Sequence, residues 1–507
     1  MVYKKLSNTR QAHKLKSAFV KTAGMLIRSS QSPDILLGEL FHDVQKSGVF
    51  DDGKTFVDLV PHGRAAAIKA EYELARRDPS FNLQEFVNRH FYEFAPYKHR
   101  NAFVADPDRP VREHIQLLWQ ELERRNRKNR GSLLALPHSY VVPGGRFSEQ
   151  FYWDTYFIML GLAADGKWDQ IEDMMKNYAY MIRKWKFIPT ANRTYFLTRS
   201  QPPFYALMVE LLATHRKKTL VYAEHLPYLL AEYRFWMKGT RKLTTTEHRA
   251  IYRVAQVAPA TYLNRYYDSA ATPRPESLRE DETTAERSQR IKKDRVYLHL
   301  RAAAESGWDF SSRWFLDPHD ITTIHTADIL PVDLNCLVYQ VETTIAACYQ
   351  SLKNPLLQRK FERLASKRAD AIQKFFWDDN EKFFVDYNFH QNQPTGRLTL
   401  AAVFPLFSNI ATPAQAAHVA ERLERDFLRS GGLVTTLVRS GEQWDAPNGW
   451  APLQWVAIQG LRNYGFSELA DEIKKRWTAV NLAVYTSHYK LVEKYNVEDS
   501  DALGGGG

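Results

Sequence analysis

The sequence predicts an all-α protein in which helical hairpins follow one another around a ring. Three observations carry that expectation. Apolar residues recur at the 3.6-residue helical spacing in segment after segment. Strand-like alternation is scarce, with Thr435 to Val438 the best case. A helix, a polar loop and another helix recur about a dozen times, with no exact sequence repeat. Hairpins of that kind can close into a toroid with a pocket at one end of the inner helices; periodicity alone establishes the helices and leaves closure open.

The elements follow in order. Helical pattern begins at Leu36, and "RAAAIKAEYELARRD" from Arg64 is rich in strong helix formers. In "WDQIEDMMKNYAYMIRKWK", Trp168, Ile171, Met175, Tyr178, Ile182 and Trp185 fall on one stripe. Thr219 to Lys238, Pro355 to Phe376, Pro413 to Leu428 and Trp450 to Tyr464 read the same way, the last stopping at Gly465. Loops rich in Gly, Pro, Asn and Asp, such as Pro143–Gly145 and Asp445–Gly449, lie between them. The charged stretch Asp268 to Arg295 is expected to be a solvated excursion between helices; a loop reaching over a pocket is the alternative.

Composition bounds the class. The 507 residues are 44% hydrophobic and 25% charged, ordinary for a globular chain with a large core. No apolar run approaches the roughly 20 residues of a spanning helix, so no membrane partner is expected. Lys and Arg exceed Asp and Glu, 69 to 58, for a net charge of +11. The basic residues are spread along the chain without a nucleic-acid-binding motif, so no nucleic-acid partner is expected. Residues 1–30 are expected to be a flexible basic segment, with no acid before Asp34. Lys21 interrupts its one apolar run, which argues against a secretory signal. Cys336 and Cys348 lie 12 residues apart in one predicted helix, about 18 Å and too far for a disulfide. Buried thiols in a reducing cytoplasm are the expectation.

Four clusters carry candidate chemistry. In "PGGRFSEQFYWDTYF", a glycine pair precedes a helix, and Arg146 stands at its mouth with Glu149 and Asp154 close by. "NRTYFLTRSQPP" gathers Asn192, Arg193, Arg199 and Gln201 in one short loop. "ESGWDFSSRW" presents Asp309 at a turn tip. "GEQWDAPNGWAPLQW" packs three tryptophans and two prolines into 15 residues, a density that suggests rings laid against a ligand. Each cluster alone reads as a structural element: a capped helix, a loop, a turn, an aromatic core. Together they offer Trp, Arg, Asn, Gln and carboxylates, the composition of a pocket for a neutral polyol or sugar. No phosphate loop, dinucleotide fingerprint, zinc motif or nucleophile elbow is present, and His319 and His325 are badly spaced for a metal. No cofactor is expected.

"PGGRFSEQFYWDTYF" and "QWDAPNGWAP" resemble the two signature segments of the α,α-trehalases, glycoside hydrolase family thirty-seven. "LLGELFHDVQKSGVFDDGKTFVDLVP", "RSQPP", "SGWDFSSRW", "GGLVTT" and "EKY" extend the resemblance over nearly the whole chain, in fixed order. It implies an (α/α)6 toroid spanning residues 31–507 as one domain, and inverting hydrolysis of trehalose to two glucose molecules. It implies Asp309 as general acid and Glu493 as general base. It further implies Arg146, Arg199 and Arg274 as substrate arginines, with Trp153, Asp154, Asn192, Gln201, Glu276, Gly307, Trp444 and Trp450 in or near the pocket. Inversion calls for two carboxyls about 6.5–9.5 Å apart, the acid kept protonated by burial or a neighbouring carboxylate. The resemblance to the bacterial branch lacking a signal implies a cytoplasmic enzyme, expected to be a monomer.

Two departures stand out. "PTANR" replaces the family's "PNGNR", so Thr190 stands where an Asn would touch the sugar. The chain reaches Gly507 in a glycine run that the family continues into an aromatic lid and the last toroid helix. The expectation is a sequence that either lacks those two elements or stops short of recording them. A toroidal hydrolase of another small glycoside, such as a glucosyl- or mannosyl-glycerate, and a non-catalytic sugar sensor are the alternatives.

Overall fold

The computed structural model describes residues 31–94, 106–243, 249–499 and 504–505. The basic segment 1–30 lies outside the described residues. Helices Tyr152–Ala164, Tyr205–His215, Val332–Ser351 and Ala451–Asn463 form the inner layer. Their apolar residues point in most directions, because protein surrounds them. Helices Trp168–Trp185, Lys218–Trp236, Pro355–Phe376 and Ser467–His488 return along the outside. Trp168–Trp185 buries Ile171, Met175, Tyr178, Ile182 and Trp185, all from the stripe read in the sequence. This is the predicted all-α toroid of helical hairpins. One large apolar cluster runs through both layers.

The N-termini of the inner helices share one end of the ring, and the loops before them build the site. A second, smaller core covers that end. It joins Phe41, Val57, Ile68 and Phe86 of the N-terminal helices to Tyr195, Phe196 and Leu278. Strands are short. The longest sheet is antiparallel, Ala250–Ile251, Val254–Ala258 and Thr261–Asn264, with Val254 opposite Asn264. Thr435 to Val438 forms no strand of its own; Thr436 makes a single bridge to Thr399. Helix Pro413–Arg422 passes into a wider turn, Leu423–Phe427, before the expected stop.

The stretch Asp268 to Arg295 is not a solvated excursion. Asp268, Arg274 and Asp281 are buried, and the turn Pro275–Ser277 leads into helix Leu278–Arg287. Its charges escape water because they pair: Arg274 with Asp281 at 2.7 Å, and Asp268 with Arg301 at 2.9 Å. Cys336 and Cys348 both lie in helix Val332–Ser351, buried and unbonded to each other.

Candidate active site

Helix Lys293–Ser306 ends at Gly307, whose φ of 77° only glycine adopts cheaply. A Cβ there would also lie 3.0 Å from the Trp153 ring. The turn delivers Trp308 into the core and Asp309 to the cavity side, where its carboxyl keeps 37% exposure. Burial pushes the Asp309 carboxyl up to about 6, against the pull of Arg274, whose Nη1 is 3.7 Å away. Asp154, one residue after Trp153 on the first inner helix, is pushed up to about 7 by burial and by the charges of Glu493 and Asp309. Asp154 therefore shares one space with both carboxylates. Glu493 stands on the loop after the last outer helix, 56% exposed, with the Lys494 ammonium 3.6 Å from its carboxylate. The cation beside it is this lysine.

Arg199 and Glu276 form a buried pair next to these groups. Burial raises Glu276, but Arg199 and Arg274 outweigh it and hold the carboxylate below its usual range. Arg199 Nε and Nη1 and Glu276 Oε2 are buried with no hydrogen-bond partner. Arg199 Nη1 lies 3.8 Å from the Asp268 carboxylate, so the guanidinium is held between two carboxylates. Arg274 donates through Nε and Nη2 to Asp281, which fixes its fork and leaves Nη1 toward Asp309.

The remaining predicted residues take several places. Gln201 Oε1 accepts from the Trp153 main-chain N–H at 3.2 Å. Asn192 is fully buried, donating to the Leu134 carbonyl at 2.9 Å and accepting from the Gln150 N–H at 2.9 Å. Thr190 Oγ1 donates to the Ser200 carbonyl at 2.8 Å, inside the same loop. Arg146 stands apart at the rim, 59% exposed and 3.3 Å from Asp52. Glu149 is drawn away from Arg146 into a buried cluster with Lys54 and Arg193. The tryptophans stack on one another rather than on open cavity. Trp450 lies 3.8 Å from Trp444, Trp444 lies 5.3 Å from Trp308, and Trp153 meets the same ring at 5.8 Å.

Sequence reasoning missed the residues that hold these groups. Asp445 is fully buried and accepts from Ser311, Ser312, Thr436 and Ser440, tying the Asp309 turn to the tryptophan loop. Glu305 accepts from Arg253 and from the main-chain N–H of Ser200 and Tyr267. Gln443 donates to the Asp309 carbonyl and accepts from Lys494. Only Asp445 carried a signal, a carboxylate inside a run of rings that pack against each other.

The trehalase family profile matches residues 48–507. The periplasmic trehalase of Salmonella agona (strain SL483) is 46% identical over 479 residues, covering 94% of this chain and 83% of that protein. The putative periplasmic trehalase of Salmonella typhi is 45% identical over the same length. Among solved structures, neutral trehalase Nth1 from Saccharomyces cerevisiae superposes with a TM-score of 0.60 at 28% identity, over 72% of this chain and 71% of that one. A mannosylglycerate hydrolase from Thermus thermophilus shares the fold, with a TM-score of 0.50 at 17% identity over 78% of this chain and 97% of that one. The relatives' periplasmic names overturn the cytoplasmic placement expected above. The cysteines never bore on it: one helix holds them apart, so they stay unpaired with each other in any redox compartment.

Proposed function

The chain belongs to the trehalase family, and from that premise we propose how its residues divide the work of hydrolysing α,α-trehalose. The enzyme is an inverting glycoside hydrolase that releases two glucose molecules. In the proposed division, Asp309 is the general acid and gives its proton to the bridging oxygen. Glu493 is the general base and takes a proton from the water that attacks the anomeric carbon from the opposite face. The C–O bond to the leaving glucose breaks as the new one forms. The attacked ring leaves as β-glucose and the other as α-glucose. Arg199, Glu276 and Arg274 hold hydroxyls, and Trp153 and Gln201 shape the wall on which a ring rests.

The observation that carries these roles is the contrast between the two carboxylates facing Asp154. Asp309 is raised to about 6 and can be protonated when trehalose binds, whereas Glu493 stands at the wetter edge beside a lysine. Proton NMR during the first minutes of reaction tests the outcome. Equal early amounts of α- and β-glucose are expected; α-glucose alone would mean retention and would end this division of roles.

We further place the enzyme in the periplasm, after its relatives' names, and take the monomer as its working unit. Osmotic-shock fractionation and light scattering check these; activity confined to the cytoplasmic fraction would refute the first. Among the described residues no helix is long and apolar enough to cross a membrane.

A further inference from the structure

We propose that Gln443 is a positioning residue, a strut that sets the gap between the acid and the base. Its Nε2 donates to the Asp309 carbonyl, and its Oε1 accepts from Lys494 Nζ at 2.9 Å. Lys494 follows Glu493, and its ammonium lies 3.6 Å from that carboxylate and 5.5 Å from the centre of the Trp450 ring. One side-chain amide thus spans from the peptide of one catalytic residue to the neighbour of the other. The strut has a fixed base: the Gln443 carbonyl accepts from Trp450 Nε1 at 3.0 Å and from Asn448 Nδ2 at 3.1 Å. Beside it the Trp444 N–H donates to the Phe310 carbonyl at 3.1 Å.

The chemistry selects glutamine. The two ends demand a donor toward a carbonyl and an acceptor toward an ammonium on one rigid plane. Glutamate keeps the acceptor and loses the donor. Leucine loses both at similar volume. Asp309 and Gln443 are 134 residues apart, and Gln443 and Lys494 are 51 apart. The inverting reaction tolerates little error in the gap between the two carboxyls, since a displacement of about 1 Å costs on the order of 100-fold in rate.

This inference rests on the assignment of Asp309 and Glu493 above, so the experiment separates the two. The full chain is compared as parent, Q443E, Q443L, K494M and Q443L/K494M, with D309N and E493Q alongside, for kcat and KM on trehalose and for the thermal midpoint. Q443E and Q443L are expected to lose about 100-fold in kcat with KM changed less than threefold and the midpoint held within a few degrees. The double variant is expected to be no slower than the slower single one, because both substitutions cut one strut. Q443E and Q443L within twofold of the parent in kcat, or losses that multiply in the double variant, would overturn the strut. If Q443L melts early, K494M decides, and a kcat within twofold of the parent overturns it. Near-normal turnover by D309N or E493Q would instead sink the acid–base assignment itself.

Discussion

Asp309 makes a claim about stability as well as catalysis. Its carboxyl sits near 6 in the fold against about 4 in an unfolded chain, so the fold prefers the protonated form. That preference is intact below about pH 4 and is lost as pH rises through 6. D309N is therefore expected to be more stable than the parent at pH 7.5 and equal to it near pH 4. The gain is of order 1 kcal/mol, since partial exposure screens the charge. Urea denaturation at the two pH values checks this, and a D309N chain no more stable at pH 7.5 would mean the carboxyl is not penalised there. The same sign governs rate: with Asp309 as the proposed acid, activity is expected to fall on the alkaline side as its carboxyl loses the proton. At this scale the turn was legible, because a glycine after a helical run stops the helix and sets Asp309 at the turn. Gln443 was not, because an amide between two distant partners leaves no trace in local pattern.

Among the elements, legibility divided by the range of the contacts. The hairpin helices were readable because each buries its own stripe. Asp268 to Arg295 misled because its charges look solvent-seeking until Arg199 and Arg301 arrive from other parts of the chain. The tryptophan loop misled in the opposite sense: its rings suggested a ligand and found each other. Asp445 joins that loop to the turn that carries Asp309. D445A would leave the Ser311, Ser312 and Thr436 hydroxyls and the Ser312 N–H without their acceptor. It is expected to lower stability by about 2–4 kcal/mol and kcat at least tenfold. An unchanged urea midpoint would show that the turn stands without the clamp. Gly53 makes a similar junction between the N-terminal cap and the turn holding Glu276. A Cβ on Gly53 would lie 2.5 Å from the Glu276 carbonyl, so G53A is expected to displace that turn and raise KM more than it lowers kcat. A KM within twofold of the parent would show that Glu276 does not depend on the cap.

For the whole molecule, the net charge of +11 asks to be explained by the substrate and is not. Trehalose is neutral, so long-range steering gains nothing from a basic surface. Arg199, Arg274 and Arg313 are buried in pairs with Glu276, Asp281, Asp333 and Asp386 and add nothing to that surplus. Buried pairs of this kind are screened little by salt, whereas exposed charges more than about 10 Å apart are largely screened at 0.1 M. Turnover should then ignore ionic strength: kcat and KM are expected to stay within about twofold between 50 and 500 mM NaCl. A tenfold rise in KM over that range would show that the open site depends on exposed cations, and would move the binding role from the buried Arg199–Glu276 pair to rim residues such as Arg146. The first outcome is expected because Arg199 and Arg274, the arginines proposed to hold the sugar, are buried and paired, whereas seven of the surplus cations, from Lys4 to Arg28, fall in residues 1–30 with no acid among them.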